Sequence, residues 1–175
     1  MIYDALGRLT RDSDAAGGFK ALARTEADRT YTVALSTALG RTTRYQVDDL
    51  LTGNQKRLTT ASDGTQTELL TSAEGSRKTT LPDGTIVDLA EGPDPRFSMQ
   101  TPIPKTESTS TGGLTSAFAM SREANLSNPA DPLSLVSQTD TVTLNGRLYS
   151  SSYLASTRTF TDTTPANRQS TATLD

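Results

Sequence analysis

Short blocks of sequence recur along this chain, and each is centred on a glycine. Ala5-Leu6-Gly7-Arg8-Leu9-Thr10 returns as Ala38-Leu39-Gly40-Arg41-Thr42-Thr43, with a weaker echo in Asn145-Gly146-Arg147-Leu148-Tyr149-Ser150. Ser62-Asp63-Gly64-Thr65-Gln66-Thr67 is echoed by Pro82-Asp83-Gly84-Thr85-Ile86-Val87. Self-similarity of this kind restricts a chain to architectures in which one small supersecondary unit is stacked many times. The glycines allow positive φ, and the segments after them are rich in Thr, whose branched Cβ suits a pleated strand. The repeating unit expected is therefore a β-hairpin.

Asp63-Gly64, Asp83-Gly84 and Asn145-Gly146 are dipeptides that two-residue type I′ turns prefer, because the twist of that turn matches the strands it joins. A two-residue loop fixes the register. Leu58 then lies opposite Leu69, Leu81 opposite Ile86 and Val142 opposite Tyr149, so apolar residues meet across each ladder. Further strands are expected over Thr30–Leu35, Thr42–Val47, Ser76–Leu81, Leu114–Ala119, Thr157–Thr163 and Gln169–Leu174. Phe19–Asp28, with its Ala, Leu, Lys and Glu, has the best helical composition in the chain.

Prolines at 93, 95, 102 and 104 and at 129 and 132 mark breaks, since proline removes a ladder donor. They divide the chain into a first hairpin set over 1–92, a loop-rich extended middle over 93–134 and a last hairpin set over 135–175, read as one continuous repeat region. The fold class expected is all-β, with antiparallel hairpin repeats in an extended, curved or spiralling sheet.

Composition sets the thickness of that sheet. Serine and threonine exceed a quarter of the residues, only 33% are hydrophobic, Trp is absent and the mean hydropathy is -0.47. Such a chain buries little and favours thin sheets with water on both faces. Thr enrichment, five Tyr and recurrent apolar positions set it apart from Pro/Glu/Lys-rich disordered chains. The net charge of -3 comes without a run of like charge, which argues against a nucleic-acid partner. No apolar run approaches the roughly 20 residues of a membrane span, and no signal peptide is evident in the segment.

The chain has no His and no Cys, so neither a Ser-His-Asp nor a Cys-His centre nor a usual zinc site can be assembled from it. No catalytic, metal or cofactor residue is assigned, and no enzymatic activity is expected. The carboxylate pairs Asp12 with Asp14, Asp48 with Asp49, and Glu91 with Asp94 read as solvated turn residues bonded to their own backbone. Asp12-Ser13-Asp14 opens like a calcium loop but lacks its later ligands, with Ala at 16 and at 23, and reads as a turn. Arg8, Arg41 and Arg147 read as cross-strand partners of acidic residues, and the five tyrosines as strand packing residues. The alternative role for these arginines and tyrosines is an exposed face that binds anionic sugars.

Tyr3-Asp4-Ala5-Leu6-Gly7-Arg8-Leu9-Thr10 resembles the signature of the rearrangement-hotspot, or tyrosine-aspartate (RHS/YD), repeat family: Tyr-Asp, two variable residues, then Gly-Arg-Leu-Thr. The copy at Gly40 and Arg41 has Ser36-Thr37 where Tyr-Asp would stand, and Tyr45 at the downstream Tyr position. Residues 40–88 and 139–175 have the texture of degenerate repeats of this family, and Asp63, Gly64, Asp83, Gly84, Asn145 and Gly146 complete the set of motif residues. The resemblance implies a structural module: β-sheet wall of a shell that encloses or presents a toxin-like C-terminal polypeptide. It further implies a secreted or surface-attached bacterial protein, with the rest of the shell and the enclosed polypeptide as partners. A carbohydrate- or cell-surface-binding β module, with surface glycans as partners, is the alternative. The self-cleaving aspartate region of the family has no match here.

Overall fold

The computed structural model describes Met1–Asp175 and contains fifteen strands with no helix. It divides into two compact units, Met1–Ile86 and Val87–Asp175. Within each, pairing is antiparallel and strands lie in chain order.

The first unit carries β1 (Ile2–Tyr3), β2 (Leu9–Ser13), β3 (Phe19–Ala27), β4 (Thr30–Thr37), β5 (Thr42–Asp49), β6 (Gln55–Thr60), β7 (Gln66–Thr71) and β8 (Arg77–Thr80). Side chains alternate between two faces along a strand. The register gathers Leu22 opposite Leu35, Val33 opposite Tyr45 and Tyr31 opposite Val47 on one face. The other face carries small and polar rows such as Ala21, Ser36 and Thr42. Phe19–Asp28 is thus not a helix. Its odd and even positions separate cleanly onto the two faces, and eight of its residues pair with β4, which outweighs a weak helical propensity.

The second unit opens on β9 (Ile86–Asp94), whose first residue belongs to the first unit, and continues through β10 (Ser98–Thr111), β11 (Leu114–Leu126), β12 (Leu135–Leu144), β13 (Arg147–Leu154), β14 (Thr159–Thr163) and β15 (Gln169–Thr173). The middle segment 93–134 is not loop-rich, since β10 and β11 are the two longest strands. Pro102 and Pro104 are accommodated because their spacing of two puts both missing N–H groups on one edge of β10, leaving the opposite edge intact. Asn128–Pro132 is a loop, as its prolines indicate.

No hydrophobic residue is buried in the chain. The only residues below the surface are Thr85, Gly92 and Asp94, with Thr85 at 8% and Asp94 at 3% exposure. Cohesion therefore comes from ladder hydrogen bonds and half-buried cross-strand pairs, each worth about 0.2–1 kcal/mol.

Candidate functional site

Two features concentrate the chemistry of the chain: a recurring turn in the first unit and an ionic clasp in the second.

The turn spans five residues and occurs at 4–8, 14–18, 37–41, 50–54, 61–65, 72–76 and 81–85. In each, the N–H of the first residue donates to the carbonyl of the fifth, and the N–H of a glycine in fourth place donates to the carbonyl of the first. The seven glycines have φ between +74° and +88°. This is a three-residue loop made of a type I turn followed by a left-handed glycine. At Gly7, an L side chain would meet no neighbour, so backbone conformation alone selects glycine.

The Tyr-Asp-x-x-Gly-Arg block is one such turn, and its residues have visible tasks. Asp4 Oδ1 accepts from the amides of Leu6 and Arg8 at 2.9 Å each, and Asp4 Oδ2 accepts from Arg8 Nε at 2.8 Å. The Arg8 amide, followed by its guanidinium, holds the Asp4 carboxyl below its usual pKa. Arg8 also reaches Glu26 at 3.1 Å, so it pairs across strands as its sequence position suggests. Tyr3 stands opposite Leu9 and stays exposed. At the second copy Thr37 takes the place of Asp4, and Gly40 and Arg41 close the same turn. Tyr45 lies opposite Val33 and Thr59.

The Asp-Gly turns differ from the two-residue loops expected of them. Ala61 bonds to Thr65 and Leu81 to Thr85, so Ser62 and Pro82 belong to the loops. Leu58 therefore faces Glu68, not Leu69, and Leu81 faces Thr85, not Ile86. The physical reason is the role of the aspartate. Asp63 and Asp83 sit third in the turn, where each Oδ1 accepts from the next-but-one amide, that of Thr65 at 3.0 Å and that of Thr85 at 2.9 Å. The glycine alone takes positive φ. Asn145-Gly146 does form the two-residue loop, with φ of 49° and 77°, and Val142 faces Tyr149. Asn145 also bonds sideways to β11: its amide donates to the Ala117 carbonyl at 2.8 Å and its Oδ1 accepts from the Ala117 amide at 2.7 Å.

The clasp is built around Arg122 of β11. Its Nε and Nη2 each donate to the Asp140 carboxylate at 2.6 Å, a forked contact across the β11–β12 ladder, where the two residues are direct partners. Its Nη1 donates to Asp94 Oδ2 at 3.1 Å. Asp94 Oδ1 accepts the amides of Arg96 at 2.8 Å and Phe97 at 3.1 Å, closing the turn between β9 and β10. Burial pushes the Asp94 pKa up, but the two amides and the Arg122 guanidinium outweigh it and the net shift is downward. The Arg122 pKa is raised, first by Asp140. Arg96 lies over the Phe97 ring with its Nε 3.9 Å from Asp94.

The structure thus moves Asp94 from a solvated carboxylate beside Glu91 to the most buried charge in the chain. Neither Arg122 nor Asp140 carried a sequence signal, since they stand 28 and 46 positions beyond Asp94 and only the strand register brings them together. The other carboxylate pairs are not brought together as pairs. Asp48 points to the face that holds Thr30 and Gln46, whose bonds lower its pKa, whereas Asp49 on the other face accepts from Gln55. Asp14 caps its own turn through the amides of Ala16 and Gly18, and Asp12 stands opposite Lys20.

Arg41 and Arg147, unlike Arg8, make no ion pair. Arg147 lines an open cleft of about 380 Å³ with Tyr149, Thr163, Pro165 and Asn167, between the β13 start and the β14–β15 turn. No protein-family model and no curated protein matches the chain.

Proposed function

We propose that the chain is a structural repeat module contributing β-sheet wall to a shell of the RHS/YD type, in a secreted or surface protein whose toxin-like C-terminal polypeptide the shell encloses or presents. The observation that carries this reading is the Asp4–Arg8 turn. Of the residues that resemble the family signature, Asp4, Gly7 and Arg8 each have a hairpin-closing task, and the same turn recurs six more times with the glycine retained. The missing buried core also supports a wall, because a sheet wetted on both faces needs few apolar residues. In this reading the module has no catalytic role, and its partners are neighbouring wall strands and the enclosed polypeptide.

The test is to express the chain in its natural reading frame and image the particle by electron microscopy, with limited proteolysis of the polypeptide that follows. A hollow particle with a protease-resistant passenger is expected. A solid particle, or a passenger cut as fast as when expressed alone, overturns the reading.

A second reading, a carbohydrate-binding β module, draws on the Arg147–Tyr149 cleft, where an unpaired guanidinium borders an exposed aromatic ring. A glycan array comparing the chain with Arg147→Gln separates the two, because binding that depends on Arg147 supports this reading alone.

A further inference from the structure

The chain has one Asn-Gly dipeptide, Asn145-Gly146, and both residues are exposed at the tip of the β12–β13 hairpin. Asparagine before glycine is the pair in which the carboxamide is most open to its neighbour's backbone nitrogen, because glycine has no side chain to shield it. The Gly146 nitrogen attacks Asn145 Cγ; the new N–C bond forms as the bond to the carboxamide nitrogen breaks, and ammonia leaves with the proton lost from Gly146. Water then opens the five-membered imide at either carbonyl, giving aspartate or isoaspartate.

Here the fold opposes that attack. Asn145 is held at two points by Ala117 of the neighbouring strand: its amide on the Ala117 carbonyl at 2.8 Å, its Oδ1 on the Ala117 amide at 2.7 Å. The turn fixes the Asn145 backbone at φ 49° with Gly146 at 77°. To bring Cγ onto the Gly146 nitrogen, the carboxamide must leave Ala117 and the turn must relax. We infer that Asn145 is a deamidation site gated by its contact with Ala117 of β11, closed while Ala117 holds the side chain and converted when this end of the hairpin opens. Two hydrogen bonds of ordinary net strength slow the reaction roughly tenfold or more relative to the free chain.

Asp63-Gly64 and Asp83-Gly84 are internal comparators. They present the same nucleophile, but their carboxylates are ionised in mildly alkaline buffer, folded or not, and so are poor electrophiles; in the fold the Thr65 hydroxyl and amide and the Thr85 amide bond to them and lower their pKa further. Conversion is therefore expected at Asn145 ahead of both. Its products differ in consequence. Aspartate keeps the loop length, whereas isoaspartate adds a backbone atom to a two-residue loop that Leu144 and Arg147 close, and so disturbs the pairing of Val142 with Tyr149.

The test ages the intact chain in mildly alkaline buffer, native and in concentrated urea, and maps aspartate and isoaspartate by peptide mass spectrometry, with hydrogen exchange of the Ala117 amide measured in parallel. Expected are slow exchange at Ala117, native conversion at Asn145 roughly tenfold or more below the urea rate, and Asn145 ahead of Asp63 and Asp83 in urea. Native conversion as fast as in urea, or an Ala117 amide that exchanges freely, overturns the inference.

Discussion

Arg122→Met tests whether the ionic clasp, rather than apolar burial, holds the start of the second unit together. Methionine keeps the unbranched stem and deletes the guanidinium. It removes two contacts of 2.6 Å to Asp140 and one of 3.1 Å to Asp94. The Asp94 side chain, 1% exposed, keeps the Arg96 and Phe97 amides and the looser Arg96 guanidinium at 3.9 Å, and Asp140 keeps the weaker 3.3 Å bond from Gln138. Bonds to charged groups are worth about 1.5–3 kcal/mol each, but a simple sum overshoots, because Arg122 and Asp140 are each about one-fifth exposed and water replaces part of what is lost. Breaking a buried pair costs about 3–5 kcal/mol, and the partial exposure puts this one near the lower end, about 3 kcal/mol. Native-state hydrogen exchange suits the measurement, because two units need not unfold as one transition. The Arg96 and Phe97 amides are the probes: their opening free energy should fall by about that amount, and Asp94→Asn in the same chain should restore part of it by removing the stranded charge. A loss under about 1 kcal/mol would place the clasp among ordinary surface ion pairs and refute the reasoning.

The remaining predictions address turns, register and pH. Gly64→Ala should cost about 1 kcal/mol in urea denaturation, through left-handed backbone alone, since an added Cβ meets nothing. Asp4→Ala should speed hydrogen exchange at the Leu6 and Arg8 amides, which lose their acceptor, and leave the amides of β7 unchanged. Leu58→Cys with Glu68→Cys should form a disulfide on air oxidation, because the two are direct partners in a non-hydrogen-bonded pair, whereas Leu58→Cys with Leu69→Cys should not. The Asp94 pKa is lower folded than unfolded, so its contribution to stability is complete above the ordinary carboxylate pKa and is lost as pH falls through the lower folded value. Acid titration of unit stability should show this loss in the parent chain and a flatter profile in Arg122→Met.

Much of the fold was legible because its determinants are local. Positive-φ glycines and alternating Thr-rich segments mark most of the reversals, so the strands after Gly40 and Gly146 begin where the residues indicate. Register was less legible, since Asp-Gly serves both a two-residue loop and a three-residue one. Pro82 held the missing signal: its fixed φ suits the second position of a type I turn, which moves the loop start back by one residue. The β3 segment has the best helical composition in the chain, yet Ala and Leu are acceptable in a strand once a neighbour supplies the pairing. Prolines 102 and 104 suggested loops only while their common edge was ignored. The clasp could not be read at all. Arg122 and Asp140 meet through a ladder that pairs Phe118–Leu126 of β11 with β12, and no local pattern encodes which distant carboxylate an arginine will find.

The lack of any buried apolar residue carries a mechanical consequence. In each unit, extensive contacts join strands that are neighbours in the chain, so there is no central nucleus whose rupture releases everything at once. Such a ribbon should behave as a linear lattice, fraying from its outermost strand inward by small steps, and able to lengthen by another hairpin without repacking those already laid down.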